Sequence, residues 1–235
     1  MKIDWETTDQ RYDILYTDPP WQQGRGGKKN ARPNSSGTSV PYQTMSVPEI
    51  MDLHRRISER ILAEKHNIFM WTIDKYLPET ERMMEMLGYK VHARLIWDKI
   101  NGPAAAYTVR FSHEYLIWFF KPGQILMPDK DRRGAFPTVM REPSRKHSQK
   151  PECAYEMIES MFPDAKKLEL FARNERKGWD CWGNEVYIER GMGTWQCPNC
   201  QKFISFGNEH CHWCGQRLGW ETNITKSQPK RRKKK

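Results

Sequence analysis

The sequence predicts an α/β fold in which helices cover both faces of a central sheet. Short runs rich in β-branched and aromatic residues alternate along the chain with longer segments whose apolar residues recur every three or four positions. This alternation is typical of strands joined by helical crossovers, and in such sheets ligands bind at the carboxyl ends of the strands. The 235 residues suffice for one enzyme-sized domain and a short appendage.

The first predicted strand, residues 12–18, reads YDILYTD and stops at two prolines, which cannot donate to a sheet ladder. Residues 22–40 contain almost no apolar side chains and predict a long mobile loop. Ser46 and Glu49 then have the spacing of a capping box, and isoleucine and leucine follow at helical intervals. We therefore expect a helix of about 18 residues here.

Four further strands and two further helices complete the predicted domain. The strands are residues 66–72, 91–99, 114–121 and 167–172, and the helices are residues 77–87 and 151–161. The first of these helices is amphipathic and stops at a glycine, and the second has proline in its first turn, where proline is tolerated. A polar stretch at residues 122–148 precedes the last helix.

Basic residues are concentrated at the end of the chain. The formal net charge is +10, and seven of the last ten residues are lysine or arginine, with no acid among them. We predict that residues 221–235 form a disordered tail that attracts phosphate groups. A solubilising terminus or a nuclear-import signal would have the same composition.

The strand at residues 12–18 ends in a motif suited to chemistry, Asp18-Pro19-Pro20-Trp21. Two prolines fix the backbone and remove two donors, so the carbonyls of Asp18 and Pro19 can project into a cleft. Adenine N6 is a poor nucleophile because its lone pair is delocalised. A carboxylate and a carbonyl that accept its two N–H bonds would favour attack on an electrophilic methyl group, while Trp21 stacks on the base. The alternative is a proline turn with a buried tryptophan.

The order of the motifs resembles the MT-A70 family of adenine-N6 methyltransferases, which includes the catalytic subunit of the eukaryotic messenger-RNA methyltransferase and bacterial and phage members. The resemblance covers roughly residues 10–188. Its motifs are DPPW at 18–21, YQTMS at 42–46, FMWT at 69–72, LIWDK at 95–99, SHEY at 112–115, SQKP at 148–151, KLELFAR at 167–173, GW at 178–179 and GN at 183–184.

The resemblance implies a Rossmann-like sheet in permuted order, with the catalytic loop encoded before the cofactor-binding strand, and S-adenosylmethionine as methyl donor. The catalytic corner would be Asp18, Pro19, Pro20 and Trp21. The donor-binding residues, with Asn174 as a ribose contact and Glu185 as a neighbour of the adenine, would be Asp18, Lys150, Phe171, Arg173, Asn174, Asn184 and Glu185. The sequence departs from the family at Ala172, where glycine is common, and at position 185, where glutamine is usual.

Two CxxC pairs, ten residues apart, stand near the end of the chain. Four thiolates at this spacing are typical of a closed, structural zinc site. The expected ligands of one structural zinc are Cys197, Cys200, Cys211 and Cys214. We therefore predict a methyltransferase domain at residues 1–190 and a zinc-ribbon module at residues 191–220, ahead of the basic tail.

The sequence thus predicts adenine-N6 methylation of DNA. Basic residues of two loops are candidates to hold the substrate: Arg25, Lys28, Lys29, Arg32, Arg132, Arg133, Arg141, Arg145 and Lys146. RNA adenine methylation and cytosine-N4 methylation use similar chemistry, and a catalytically silent nucleic-acid-binding subunit is the alternative of another class. With no apolar run long enough to span a membrane and no secretion signal, we expect a cytoplasmic protein, bacterial or phage-encoded, monomeric or dimeric.

Overall fold

The computed structural model describes residues 2–22, 44–100, 109, 111–145, 149–172 and 176–182, and further along the chain the short segments 186–187, 195–196, 203–204, 210 and 218–219. Contacts divide the chain into two compact units, Met1–Asn184 and Glu185–Lys235. The division into residues 1–190, 191–220 and 221–235 stays a prediction.

The first unit is built on a seven-stranded sheet. Its elements are β1 (Tyr12–Thr17), α1 (Val47–Ile61), β2 (Leu62–Thr72), α2 (Leu77–Met86), β3 (Lys90–Asp98), β4 (His113–Phe120), β5 (Val139–Arg141), α3 (Glu152–Met161), β6 (Lys167–Leu170) and β7 (Trp179–Trp182). The strand order is β5-β3-β4-β2-β1-β6-β7, and only β4 runs antiparallel to its neighbours. The carboxyl ends of six strands and the amino end of β4 therefore lie along one edge, called here the carboxyl edge.

Helices pack on both faces of this sheet, as predicted. Successive side chains of a strand point to opposite faces, so each apolar strand serves two cores. Leu15 of β1 and Ile68 of β2 pack with α1 and α2 on one face. Ile14 and Phe69, their neighbours in the chain, pack with α3 on the other. The mixed α/β architecture is confirmed and is consistent with a methyltransferase fold.

The start of α1 follows from its sequence. The Ser46 backbone N–H donates to Glu49 Oε2 at 2.7 Å, the bond expected of a capping box, and a proline occupies the first turn. The helix then buries Ile50, Leu53 and Ile57 against the sheet. It has 15 residues, fewer than the 18 expected, because Leu62 already has extended backbone and begins β2.

Three strands differ from the prediction. β2 begins at Leu62, whereas residue 66 was expected. Its first four residues were not predicted as strand because exposed polar residues stand among them. β5 was not predicted, since it has only three residues and exposes two of them. β7 was not predicted either, because its four residues contain an aspartate, Asp180, which accepts a hydrogen bond from the Tyr12 hydroxyl at 2.8 Å.

The second unit contains four short strands in its described part. β9 (Trp195–Gln196) pairs with β10 (Phe203–Ile204) in antiparallel fashion, and β8 (Val186–Tyr187) pairs with β11 (Leu218–Gly219) in parallel fashion. The four cysteines of the predicted zinc site lie outside the described residues. In the described part of the chain, three or more potential metal ligands nowhere come together, and no helix has the length and apolarity needed to cross a membrane.

Candidate active site

The Asp-Pro-Pro-Trp corner directly follows β1 at the carboxyl edge of the sheet. Trp21 N–H donates to the Pro19 carbonyl at 2.8 Å, and the Met45 N–H donates to the Pro20 carbonyl at 2.9 Å. These bonds fix the turn that the two prolines begin, and they join it to the segment entering α1. The corner is therefore a rigid platform at the end of an interior strand of the sheet.

Three more charged side chains meet Asp18 at the carboxyl edge. Lys150, just before α3, lies with its Nζ 3.0 Å from Asp18 Oδ1 and 2.8 Å from Glu114 Oε2. Lys99, which follows β3, lies 2.6 Å from the other oxygen of Glu114. Two acids and two bases thus alternate in a continuous chain, which we call the charge cluster: Asp18, Lys150, Glu114 and Lys99.

Burial strengthens the electrostatic attraction between the members of the charge cluster. The side chains of Lys150, Glu114 and Lys99 are only 11, 16 and 17% exposed, whereas that of Asp18 is 30% exposed. The Lys150 Nζ also lies 4.9 Å from the centre of the Trp71 ring, a cation–π contact. Water screens these charges poorly, and Asp18 is the member that a ligand reaches most easily.

The pKa values of the charge cluster reflect this mutual support. Burial alone would raise the pKa of Glu114, but the ammonium groups of Lys150 and Lys99 outweigh it and lower that pKa to about 2. Burial alone would lower the pKa of Lys150, but the carboxylates of Asp18 and Glu114 raise it. Glu114 and Lys150 are therefore both charged at neutral pH.

Trp21 is buried, at 5% exposure. Its ring stacks on Tyr76, with centroids 5.1 Å apart and planes 19° apart, and its Nε1–H donates to the Trp71 carbonyl at 3.2 Å. In this state Trp21 supports the corner from behind, which is the arrangement of the buried-tryptophan alternative. Stacking of a substrate base on Trp21 stays a prediction.

Phe171 follows β6 at the carboxyl edge and has a positive φ of 61°, an uncommon conformation for a residue with a side chain. Its ring packs edge-on to Trp182, with centroids 5.6 Å apart. Backbone strain of this kind is typical of functional sites, where the surrounding structure enforces it. Four other predicted donor-binding residues lie outside the described part of the chain: Arg173, Asn174, Asn184 and Glu185.

Glu142 fixes the segment that carries Lys150. Its carboxylate accepts the backbone N–H groups of Glu152 at 3.0 Å and Cys153 at 2.9 Å, in the first turn of α3. Arg145 donates to the same carboxylate at 2.6 Å. The start of α3 is thereby capped by a side chain from the segment after β5, which limits the freedom of the adjacent Lys150.

A second, half-buried acid lies in the strand next to β1, close to the corner. Glu169 of β6 accepts a hydrogen bond from the Tyr155 hydroxyl of α3 at 2.8 Å, and burial raises its pKa to about 7. The negative charge of Asp18 contributes to the increase. Asp18 thus has two charged neighbours of different kinds. The charge of Glu169 changes with pH near neutrality, whereas Lys150 stays charged.

Asp18 and Lys150 were predicted from the sequence, whereas Glu114, Lys99 and Glu142 were given no role there. Glu114 and Lys99 stand in two of the quoted motifs, SHEY and LIWDK. The signal available was the position of Lys99 and Glu114, each at one end of a strand, where a charge that becomes buried needs a partner. The thiol of Cys153 is half-buried and that of Cys181 is buried.

A seven-stranded α/β sheet with the Asp-Pro-Pro-Trp corner and the charge cluster at its carboxyl edge is consistent with a methyltransferase fold. The sequence matches the MT-A70 family over residues 12–185, most of the chain. The chain belongs to the MT-A70 family of N6-adenine methyltransferases. Membership implies S-adenosylmethionine as the methyl donor.

Relatives come from bacteria and from eukaryotes. The type II methyltransferase M.MunI of Mycoplasma sp is 30% identical over 192 residues, which is 75% of this chain and 78% of that protein. The human N(6)-adenine-specific methyltransferase METTL4 is 28% identical over 195 residues, 74% of this chain and 37% of that protein. The catalytic subunit METTL3 of human N(6)-adenosine-methyltransferase is 24% identical over 185 residues, 75% of this chain and 28% of that protein.

Proposed function

We propose that this protein transfers a methyl group from S-adenosylmethionine to the exocyclic N6 of adenine in DNA. The observation that supports the proposal is the ion pair between Asp18 and Lys150 at the Asp-Pro-Pro-Trp corner. Asp18 is the more exposed partner of this pair. Four residues would act at the transfer step: Asp18, Pro19, Pro20 and Trp21.

The Asp18–Lys150 pair suits the methionine end of the donor. That end is a zwitterion, with an ammonium and a carboxylate on one carbon, and an ion pair of opposite polarity is its electrostatic complement. Asp18 would accept from the ammonium, and Lys150 would attract the carboxylate. The donor supplies an electrophilic methyl group on sulfur. Further contacts are proposed from Phe171, Arg173, Asn174, Asn184 and Glu185.

The corner suits the acceptor amine. The Pro19 carbonyl, turned by the bond from Trp21 N–H, has a second lone pair, and the carboxylate of Asp18 has two oxygens. Together they can accept both N–H bonds of an adenine amine and direct its lone pair away from the ring. The proton released after transfer needs an acceptor, and the carboxylate of Asp18, the most exposed member of the charge cluster, can take it.

DNA is the favoured substrate because the chain matches a bacterial type II methyltransferase over most of both lengths, whereas it spans less than two fifths of the human relatives. Methylation of adenine in a duplex requires the base to leave the stack. Two of the basic residues predicted to hold DNA are engaged with acids, since Arg141 lies near Asp98 and Arg145 pairs with Glu142. Arg25, Lys28, Lys29, Arg32 and Lys146 lie outside the described residues.

Incubation of the full chain with labelled S-adenosylmethionine and matched DNA and RNA oligonucleotides, followed by nucleoside mass spectrometry, tests the proposal. N6-methyldeoxyadenosine is the expected product. N6-methyladenosine alone would identify an RNA enzyme, and N4-methyldeoxycytidine a cytosine enzyme. Binding of nucleic acid without any methylated product would identify a silent binding subunit.

Asp18→Ala tests the corner itself, with Asp98→Ala as matched control. Asp98 is also an aspartate at the carboxyl edge, at the end of β3, and its partner Arg141 is 74% exposed. We expect Asp18→Ala to lower turnover at least about 100-fold, since it removes a group that stabilises the transferring amine, with the fold intact by circular dichroism. Undiminished turnover in Asp18→Ala, or equal losses in both variants, would contradict the proposed role.

We further propose that the second unit binds one structural zinc through four cysteine thiolates, those of Cys197, Cys200, Cys211 and Cys214. Support comes from the antiparallel pair β9 and β10, which flanks the first CxxC pair in sequence. A hairpin that carries CxxC in its connection is typical of zinc ribbons. Elemental analysis of the purified chain should find about one zinc per molecule, and Cys197→Ser should abolish this zinc binding. A purified protein that contains no metal and has the same thermal transition with and without added zinc would contradict the proposal.

A further inference from the structure

Tyr76 occupies the outer side of the corner. It belongs to a short 3-10 helix, Asp74–Tyr76, that follows β2 at the carboxyl edge of the sheet. β2 is the strand next to β1. One face of its ring stacks on Trp21, and its hydroxyl donates to the Gln22 carbonyl. Tyr76 is half-buried, which leaves part of its side chain accessible to solvent.

The ammonium group of Lys75 lies close to the hydroxyl end of the Tyr76 ring. Lys75 Nζ lies 4.6 Å from the centre of the Tyr76 ring and 3.2 Å from its hydroxyl. Lys75 is exposed, and within the part of the chain that the structure describes it pairs with no carboxylate. Tyr76 thus stacks on Trp21 with one face of its ring and has an exposed ammonium group beside its hydroxyl.

An aromatic ring and a lysine side by side match the two parts of a single nucleotide, its base and its phosphate. The base stacks on the ring, and the phosphate attracts the ammonium. An exposed lysine over an aromatic ring gains only a weak cation–π contact, so it can move to a phosphate at little cost. The site adjoins Trp21, the last residue of the corner, so its occupant would be a neighbour of the target adenine in the same strand.

We propose that Lys75 and Tyr76 bind the nucleotide that flanks the target adenine, Tyr76 by stacking on its base and Lys75 by contact with its phosphate. This inference rests on the proposed function, because it assigns part of the acceptor-binding surface of that site. It predicts that the two residues determine affinity for the acceptor strand and leave affinity for the donor unchanged.

The charge is tested with Lys75→Gln, and Lys121→Gln is the matched control. Lys121 makes a similar cation–π contact, 4.9 Å above the Tyr89 ring, and it follows β4 at the opposite edge of the sheet. The measurement is the dissociation constant of a fluorescent DNA oligonucleotide over a range of salt concentrations. Lys75→Gln should reduce the slope of log affinity against log salt by about 0.7 to 0.9, the value for one phosphate contact, and Lys121→Gln should not change it.

The ring is tested with Tyr76→Leu, Tyr76→Phe and an oligonucleotide lacking the base beside the target adenine. Loss of one stacked base should weaken wild-type binding at least about five-fold, and Tyr76→Phe should bind like the wild type. Tyr76→Leu should bind the complete strand and the abasic strand equally. Because Tyr76→Leu also removes a support of Trp21, its donor affinity and thermal transition are measured in parallel.

Three results would overturn the inference: an unchanged salt slope in Lys75→Gln, an abasic strand that binds wild type as well as the complete strand, or a loss of donor affinity in Lys75→Gln equal to the loss of DNA affinity. These measurements are of binding and need no turnover. A chain that binds the oligonucleotide in this way and methylates nothing would contradict the proposed function while leaving the Lys75–Tyr76 site in place.

Discussion

Replacement of Glu114 by glutamine removes the central carboxylate of the charge cluster. The carboxylate lies between two ammonium groups, 2.8 Å from Lys150 and 2.6 Å from Lys99, and all three side chains are less than a fifth exposed. Glutamine has nearly the same shape and keeps one oxygen acceptor. The variant therefore tests the charge, with little change in packing.

The magnitude follows from the pKa of Glu114. A pKa of about 2 instead of the ordinary 4.5 corresponds to about 3 kcal/mol of stability while the group is ionised. This agrees with the range of about 3–5 kcal/mol for removal of one partner from a buried ion pair. For a unit of this size, about 3 kcal/mol lowers the midpoint of thermal unfolding by roughly 6–12 °C at pH 7.

The sign of the pH dependence provides a second check. The pKa of Glu114 is lower in the folded state, so its contribution is complete above about pH 4.5 and is lost as the pH falls toward 2. The stability gap between wild type and Glu114→Gln should therefore narrow by about 1 kcal/mol between pH 6 and pH 3.5. Urea unfolding, followed by tryptophan fluorescence at each pH, measures the gap.

Glu81→Gln is the control, because Glu81 also pairs with a basic residue of the sheet region, Arg94, at 2.6 Å, but on the surface. With Arg94 52% exposed, this change should cost no more than about 1 kcal/mol at pH 7. Equal costs in the two variants, or a pH-independent gap for Glu114→Gln, would refute the reasoning that the charge cluster is held by buried electrostatics.

Three further predictions follow from the same region and from the second unit. Glu142→Gln should destabilise the fold by about 1–2 kcal/mol, since it weakens the cap of α3, and should weaken donor binding measured by calorimetry, whereas Glu156→Gln on the same helix should do neither. Glu169→Gln should become more stable relative to wild type as the pH rises from 4.5 through 7, by up to about 3 kcal/mol in urea unfolding. The raised pKa of Glu169 means that its ionisation destabilises the folded state of the wild type. A stability difference between the two proteins that does not change with pH would exclude this. A strong chelator should remove the proposed zinc and expose the second unit to limited proteolysis, while α1 to α3 keep their helical signal. Uniform loss of structure in both units would contradict this prediction.

Much of the fold was predictable because local signals and tertiary packing agree. β1 has the composition of a buried strand, and α1 combines a capping box with isoleucines at helical spacing. β5 was not predictable, since three residues carry no periodicity and the pairing of Trp97 with Met140 in the parallel ladder arises only in the folded sheet.

The candidate site was predictable only in part. Asp18 was found because it ends an apolar strand and precedes two prolines, a local pattern with chemical meaning. Lys150 was found through the resemblance, and no local pattern separates it from a surface lysine. Its burial between Asp18 and Glu114 depends on residues that stand 132 and 36 positions away in the chain, a relation that a single sequence does not display.

Glu114 was missed for a topological reason. In parallel α/β sheets, functional residues are sought after the strands, because the carboxyl ends meet at one edge. β4 is antiparallel to both of its neighbours, so at that edge it presents its first residues, and Glu114 is the second residue of the strand. The reversal puts the carboxylate opposite Trp97 and level with Lys99, which follows β3 in the other direction. A parallel β4 would bring its last residue, Phe120, to the edge, and Lys150 and Lys99 would then lose the carboxylate that they share. The strand direction therefore determines whether Lys150 can be buried and charged at once, and through Lys150 it determines the ion pair at the corner.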